Sequence, residues 1–170
     1  YIIEGVMRSL IHSSYKALEN PRDYEARSNI MWCATMGLNT ITGLSKQQDW
    51  EVHMIEHQLG AYTDCPHGEG LAVISPAYYR YIYKYGIDKF VRFAKNIWDV
   101  PADDIDKETA ALAGIDALAC YIEKLGLPST LREVGATEDM LEKIAVSCVK
   151  GGGYKQMDEN DVLNVLKACY

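Results

Sequence analysis

The sequence predicts an all-α protein built from several helices, and three observations support this prediction. Apolar residues recur at intervals of three and four positions in one segment after another, which is typical of helices with one buried face. No segment shows the strict apolar–polar alternation of a half-buried strand. No internal repeat or low-complexity tract interrupts the pattern. The length of 170 residues suits one domain with a real core, so we expect a single domain over residues 1–170.

Four helices are predicted in the first half of the chain. Their expected ranges are about 1–18, 20–43, 48–60 and 68–85. Asn20-Pro21 has the form of an N-cap followed by a proline in the first turn, so it should begin the second helix. Trp32 and Met36 on that helix are expected to be core residues. Pro76 should kink or break the fourth helix because proline has no backbone N–H.

Four more helices are predicted in the second half, over about 86–97, 106–125, 137–148 and 158–166. The tyrosines at positions 78, 79, 81, 83 and 85 are expected to pack with the ring inside and the hydroxyl outside. Gly151-Gly152-Gly153 lacks the preceding strand and the glycine spacing of a phosphate-binding loop. We therefore expect a flexible connector there.

The bulk composition excludes several classes of protein. A net charge of −7 and a pI near 5.1 argue against a nucleic-acid-binding protein, which needs a basic face for phosphate. No apolar run is long enough to cross a bilayer, and the first residues do not have the pattern of a signal peptide. The five cysteines are widely spaced and odd in number, which favours reduced thiols and a cytoplasmic location.

Three of the four histidines lie within fifteen residues, at His53, His57 and His67. Imidazole is the commonest metal ligand in proteins. His53 and His57 are four residues apart, so on a helix they lie on one face with Cβ atoms about 6 Å apart. His67 follows after a turn, with Pro66 and Gly68 to set the backbone direction. The spacing predicts part of a metal site, with Cys65 as a minor alternative ligand.

Two other interpretations of this segment stay open. His53-x-x-Glu56-His57 matches the H-x-x-E-H pattern of zinc metallopeptidases, in which both histidines bind zinc and Glu56 is the general base. A more distant carboxylate would complete such a site. The second alternative is a non-enzymatic helical interaction module, whose histidines are incidental and whose binding face is the tyrosine-rich helix.

A longer stretch favours a different enzyme. The segment 53–76, with His53-x-x-x-His57, a turn, Pro66-His67-Gly68 and Leu71-Ala72 before Pro76, resembles the iron-containing alcohol dehydrogenases of the butanol-dehydrogenase-like branch. Segment 17–32 resembles the helix pair that precedes the metal segment in that family, and segments 125–131 and 159–163 resemble its C-terminal helices. The resemblance therefore covers essentially the whole chain. It implies the family's all-helical C-terminal domain, of the dehydroquinate synthase-like type, without the N-terminal α/β nucleotide-binding domain.

The resemblance also implies roles for individual residues. The family holds one metal ion with an aspartate and three histidines, and His53 and His67 correspond to two of those histidines. His57 corresponds to a histidine that does not bind the metal and acts near the nicotinamide and the substrate. Glu56 then has no catalytic role. The family's other two ligands lie in an Asp-x-x-x-His helix just upstream, which His12 does not supply because Arg8 stands four residues before it.

The implied activity is reversible hydride transfer between NAD(P)H and a small aldehyde or ketone, giving the alcohol, with Fe2+ or Zn2+ as Lewis acid. The chain begins without methionine and already in a helical pattern, so we expect a fragment of a two-domain enzyme. On this view its partner is its own missing N-terminal domain, and the isolated fragment is inactive. An apolar face left by the missing domain predicts self-association, with a homodimer as the candidate assembly.

Overall fold

The computed structural model describes residues 1–44 and 46–170, and these residues form helices and no strand. The all-α prediction is confirmed. The α-helices are α1 (Ile2–Glu19), α2 (Tyr24–Leu38), α3 (Glu51–Thr63), α4 (His67–Ile82), α5 (Ile87–Trp98), α6 (Lys107–Lys124), α7 (Glu138–Ser147) and α8 (Glu159–Ala168). A short 3-10 helix, Tyr83–Gly86, joins α4 to α5.

The chain divides into two compact units, Tyr1–Gln47 and Gln48–Tyr170. In the first unit α1 packs against α2, and in the second unit α3 to α8 surround a common core. The single domain over residues 1–170 stays a prediction.

Three helices begin at an aspartate that accepts a hydrogen bond from a backbone N–H of the first turn. Asp23 caps α2, so this helix begins three residues later than Asn20-Pro21 predicted. Asp106 caps α6 at the predicted position. At α8, Asp158 accepts from the N–H of Asp161, while the Asp161 carboxylate accepts from the N–H of Asp158. This reciprocal pair satisfies two backbone donors that a helix start otherwise leaves free.

Helix α4 continues through Pro76 to Ile82, so the expected break is wrong, whereas a kink at Pro76 stays a prediction. The prediction that Trp32 is a core residue is also wrong. The Trp32 residue is 64% exposed, whereas its neighbour Cys33 is only 6% exposed. Each helical residue is rotated by about 100° from the last, so a shift of one position moves the buried face. Met36 is half-buried.

The core of the second unit receives side chains from α3 to α8, and its fully buried residues include Ile55, Ile74, Ile115, Ile144 and Leu166. A Cβ atom added at Gly114 on α6 would lie 2.7 Å from the Cβ atom of Ala94 on α5. The two helices therefore pack backbone against backbone at this point. No helix among the described residues is long and apolar enough to cross a membrane.

The five cysteines are free thiols, of which Cys120 is exposed and Cys148 and Cys169 are buried. Burial raises the pKa of the Cys148 thiol to about 11 and that of the Cys169 thiol to about 12, because a thiolate is disfavoured away from water.

We therefore expect selective alkylation of the native protein. Iodoacetamide at about pH 8 should modify Cys120 and leave Cys148 and Cys169 unmodified, because only the thiolate reacts. Peptide mass spectrometry before and after addition of denaturant measures this, and the denatured chain is the control. Modification of Cys169 at the rate of Cys120 in the native protein would contradict the packing described here.

Candidate metal centre

The three clustered histidines lie on two consecutive helices of the second unit. His53 and His57 are one turn apart on α3, which ends at Thr63. Asp64 then adopts the left-handed conformation with a φ of 56°, and its N–H donates to the Gly60 carbonyl. Pro66 is the N-cap of α4, and His67 is the first residue of that helix. A turn of three residues thus returns the chain to the histidine face of α3.

The side chains of His53, His57 and His67 meet at this place. Their ring centroids are 5.3 Å apart for His53–His67, 5.6 Å for His57–His67 and 6.3 Å for His53–His57. One nitrogen of each ring lies within 4.8 Å of one nitrogen of each of the others. His53 is half-buried, whereas His57 and His67 are exposed. The structure therefore brings together all three residues that the sequence singled out.

This arrangement fits a divalent metal ion. Two nitrogens that share an ion at about 2.1 Å each lie at most about 4.2 Å apart, so small rotations of the rings suffice. Neutral imidazole suits both iron and zinc. Among the described residues, the clustered metal-binding groups are these three histidines, and Cys65 is not one of them.

The environment of His53 favours the neutral form of its ring. Burial lowers the pKa of His53, and the neighbouring His67 and His57 lower it further, while the Glu56 carboxylate opposes this effect. Because a metal ligand must be an unprotonated imidazole, a lowered pKa prepares His53 for metal at neutral pH. The His53 ring also lies against Trp50, with centroids 5.0 Å apart, which limits its rotation.

A cavity of about 250 Å³ adjoins His53. Its walls are mostly aromatic and aliphatic, and the lining includes Leu71, Tyr79, Ile82, Phe90 and Tyr154. Two polar groups of the lining are bonded to each other, since the Tyr78 hydroxyl donates to Asp49 at 2.8 Å. The cavity therefore offers an apolar surface next to the histidines.

The glycine-rich segment 151–153 lies close to this cavity and is packed tightly, in contrast to the expected flexible connector. The buried Glu51 carboxylate accepts a hydrogen bond of 2.7 Å from the N–H of Gly151. A Cβ atom added at Gly153 would lie 2.9 Å from the Cβ atom of Asp49. Burial is the largest cause of a raised pKa at Glu51, and the Asp49 charge raises it too.

Sequence reasoning missed this group because its members lie about a hundred positions apart. Glu51 and Asp49 have the ordinary appearance of acidic residues at a helix start, and Gly151 has that of a loop glycine. The three adjacent glycines were the available signal, since close backbone approach is one of the reasons for glycine in a loop.

Comparisons with known proteins agree with the geometry. The sequence model of the Fe-containing alcohol dehydrogenase family, C-terminal, matches residues 2–170. NADH-dependent butanol dehydrogenase A of Clostridium acetobutylicum is 36% identical over 175 aligned residues, which cover 99% of this chain and 45% of that protein. NADPH-dependent aldehyde reductase YqhD of Escherichia coli is 31% identical over 169 residues, which cover 98% of this chain and 43% of that protein.

A comparison with a solved structure also finds a member of this family. The crystal structure of NADH-dependent butanol dehydrogenase A from Thermotoga maritima matches with a TM-score of 0.91 and 32% identity, over 98% of this chain and 44% of that chain. The resemblance inferred from the histidine segment and the C-terminal helical fold type are thereby confirmed. The chain spans less than half the length of these relatives. The relatives named above are dehydrogenases and a reductase, and none is a metallopeptidase or a non-enzymatic module.

The packing of the glycine-rich segment leads to a test of stability. Gly152 has a φ of 116°, and a Cβ atom there would lie 2.1 Å from the Lys155 carbonyl oxygen. Gly152→Ala should lower the free energy of unfolding by about 2 kcal/mol or more, because strain and a clash add. Gly126→Ala is the matched control, since Gly126 has a φ of 73° but no atom within 4 Å of the added Cβ. Equal losses for both variants in urea titrations would contradict the tight packing.

Proposed function

Because the chain belongs to the Fe-containing alcohol dehydrogenase family, we propose that it supplies the helical metal-binding part of an NAD(P)-linked alcohol dehydrogenase or aldehyde reductase. The observation that carries the proposal is the convergence of three histidine nitrogens within 4.8 Å on α3 and α4. The nucleotide-binding part is proposed to lie outside these 170 residues, since the matching relatives are more than twice as long as the aligned region.

His53 and His67 are the proposed metal ligands in this chain. His53 is half-buried against Trp50, and its lowered pKa keeps it unprotonated. His67 lies at the start of α4 with its ring nitrogen near that of His53. The ion is proposed to be Fe2+ or Zn2+, and it supplies Lewis-acid polarisation of the substrate carbonyl when bound.

His57 is the proposed catalytic residue, which orients the substrate oxygen or exchanges a proton with it. Its ring is exposed and lies 5.6 Å from that of His67, so it can reach a molecule held at the metal centre. An imidazole ring has both a donor and an acceptor nitrogen, which suits a group that orients an oxygen or exchanges a proton with it. NAD(P)H is the proposed hydride source, and the relatives' names include both NADH and NADPH.

The substrate is proposed to be a small alcohol or aldehyde. The apolar cavity beside His53 can hold its alkyl part, because the aliphatic and aromatic lining gains from excluding water. The oxygen end would then lie towards the histidines. The predicted homodimer and the cytoplasmic location stay predictions, and sedimentation over a range of concentrations tests the first.

Metal titration of the 170-residue chain tests the assignment of the ligands. Calorimetry with Zn2+, or with Fe2+ without oxygen, should give one ion per chain. His53→Ala and His67→Ala should each weaken binding by about tenfold or more, because each removes a ligand. His57→Ala should change the affinity by less than about threefold, and His12→Ala is the control on α1. Loss of binding in His57→Ala equal to that in His67→Ala would contradict the separate role of His57.

Activity of the complete gene product that carries these residues tests the reaction. We expect oxidation of butan-1-ol with NAD+ or NADP+ that a chelator abolishes and added metal restores. His57→Ala should lower kcat by about a hundredfold with unchanged metal content, because a proton-transfer group is lost. The 170-residue chain alone should show no turnover. Turnover by this chain alone, or activity that resists complete metal removal, would contradict the proposal.

A further inference from the structure

Glu56 is a buried carboxylate at the centre of an exposed metal-binding segment. Its side chain is 2% exposed, although His57, the next residue on α3, is exposed. A carboxylate removed from water is costly unless hydrogen bonds or an opposite charge compensate it. The compensating group here is the His67 ring, whose Nδ1 lies at hydrogen-bonding distance from a carboxylate oxygen of Glu56.

Two glycines make room for this carboxylate. A Cβ atom added at Gly70 on α4 would lie 2.7 Å from Cγ and 3.0 Å from Oε1 of Glu56. One turn along α3, a Cβ atom added at Gly60 would lie 3.4 Å from the same Oε1. By contrast, a Cβ atom added at Gly68 meets nothing within 4 Å. Gly60 and Gly70 thus form a notch around the Glu56 carboxylate, and the space at Gly70 is used by this side chain.

The contact between Glu56 and His67 restrains the His67 ring, which little else holds in place. The His67 side chain is 53% exposed and stands on the first residue of α4, so packing restrains it weakly. An ionised carboxylate can only accept a hydrogen bond, so the contact favours the tautomer with the proton on Nδ1, which leaves the lone pair of Nε2 for a metal ion. A carboxylate on the far nitrogen of a ligating histidine fixes the tautomer and the ring orientation and makes the ligand more basic. At His53 the neighbouring Trp50 ring limits the rotation of the imidazole.

We propose that Glu56 is a positioning residue, which holds His67 in the Nδ1–H tautomer with Nε2 directed at the metal centre and touches neither metal nor substrate. This inference rests on the proposed function, since it needs His67 as a ligand. It assigns a role to a residue for which the family resemblance implied none. It also differs from a general base in a peptidase, because a carboxylate buried in the glycine notch is not accessible to a catalytic water molecule.

The test compares two ways of disturbing the contact with two matched controls. Glu56→Gln removes the charge with little change of shape, and Gly70→Ala keeps the carboxylate but fills its notch. Glu69→Gln removes a neighbouring charge on α4, and Gly68→Ala adds a methyl group where there is space. Far-UV circular dichroism establishes that each variant folds.

Nitrogen-15 NMR of the metal-free chain reads the tautomer of His67 directly. The unchanged chain should show the Nδ1–H form of His67, and Glu56→Gln and Gly70→Ala should each give a mixture of tautomers. Calorimetric affinity for Zn2+ should fall by about tenfold to a hundredfold in both, as for other carboxylates behind a ligating histidine. Both controls should keep the tautomer and the affinity of the unchanged chain.

The outcomes separate this inference from the proposed function. If His67→Ala abolishes binding while Glu56→Gln changes neither tautomer nor affinity, the positioning role is overturned and the ligand assignment stands. An equal loss of affinity in Glu69→Gln would also overturn it, because the effect would then be one of overall charge. If His67→Ala leaves binding intact, the ligand assignment itself fails.

Discussion

The metal centre depends on the tight turn between α3 and α4. Only residues 64–66 separate the two helices, and Asp64 adopts a left-handed conformation to reverse the chain. Because α4 begins at His67, any lengthening of the turn or shift of the helix start would move this ring away from His53 and His57. Two rings come from consecutive turns of one helix and the third from the start of the next, so the arrangement needs no long-range contact.

Two buried carboxylates on the core side of α3 stabilise the arrangement of the three histidines. Glu56 lies in the notch formed by Gly60 and Gly70 and contacts Nδ1 of His67, and the Glu51 carboxylate accepts a hydrogen bond from the backbone N–H of Gly151. Both acids lie on α3, on the side away from solvent, while the histidines are half-buried or exposed. Helix α3 therefore carries two of the three clustered histidines together with both of these buried acids, and the third histidine follows at the start of α4.

Local features of the fold and the site followed from the sequence, and features made by distant contacts did not. Apolar spacing predicts the helices, and the short separation of His53 from His67 predicts their meeting, because helix and turn geometry act over few residues. Pairing of Glu51 with Gly151 spans a hundred positions and has no local signal. Trp32 was expected in the core but is exposed, because which face of α2 is covered depends on tertiary packing. Burial of Glu56 depends on the space left by Gly70, which the sequence alone does not reveal.

The most direct test of this account is a crystal structure of the zinc-loaded chain, with the metal located by anomalous scattering at the zinc edge. The account predicts one strong peak within about 2.1 Å of a nitrogen of His53 and of Nε2 of His67, with Nδ1 of His67 still bonded to Glu56. A peak bound by Nδ1 of His67, with Glu56 displaced from its notch or itself a ligand, would contradict it. So would a peak at any other part of the chain with the three histidines left free.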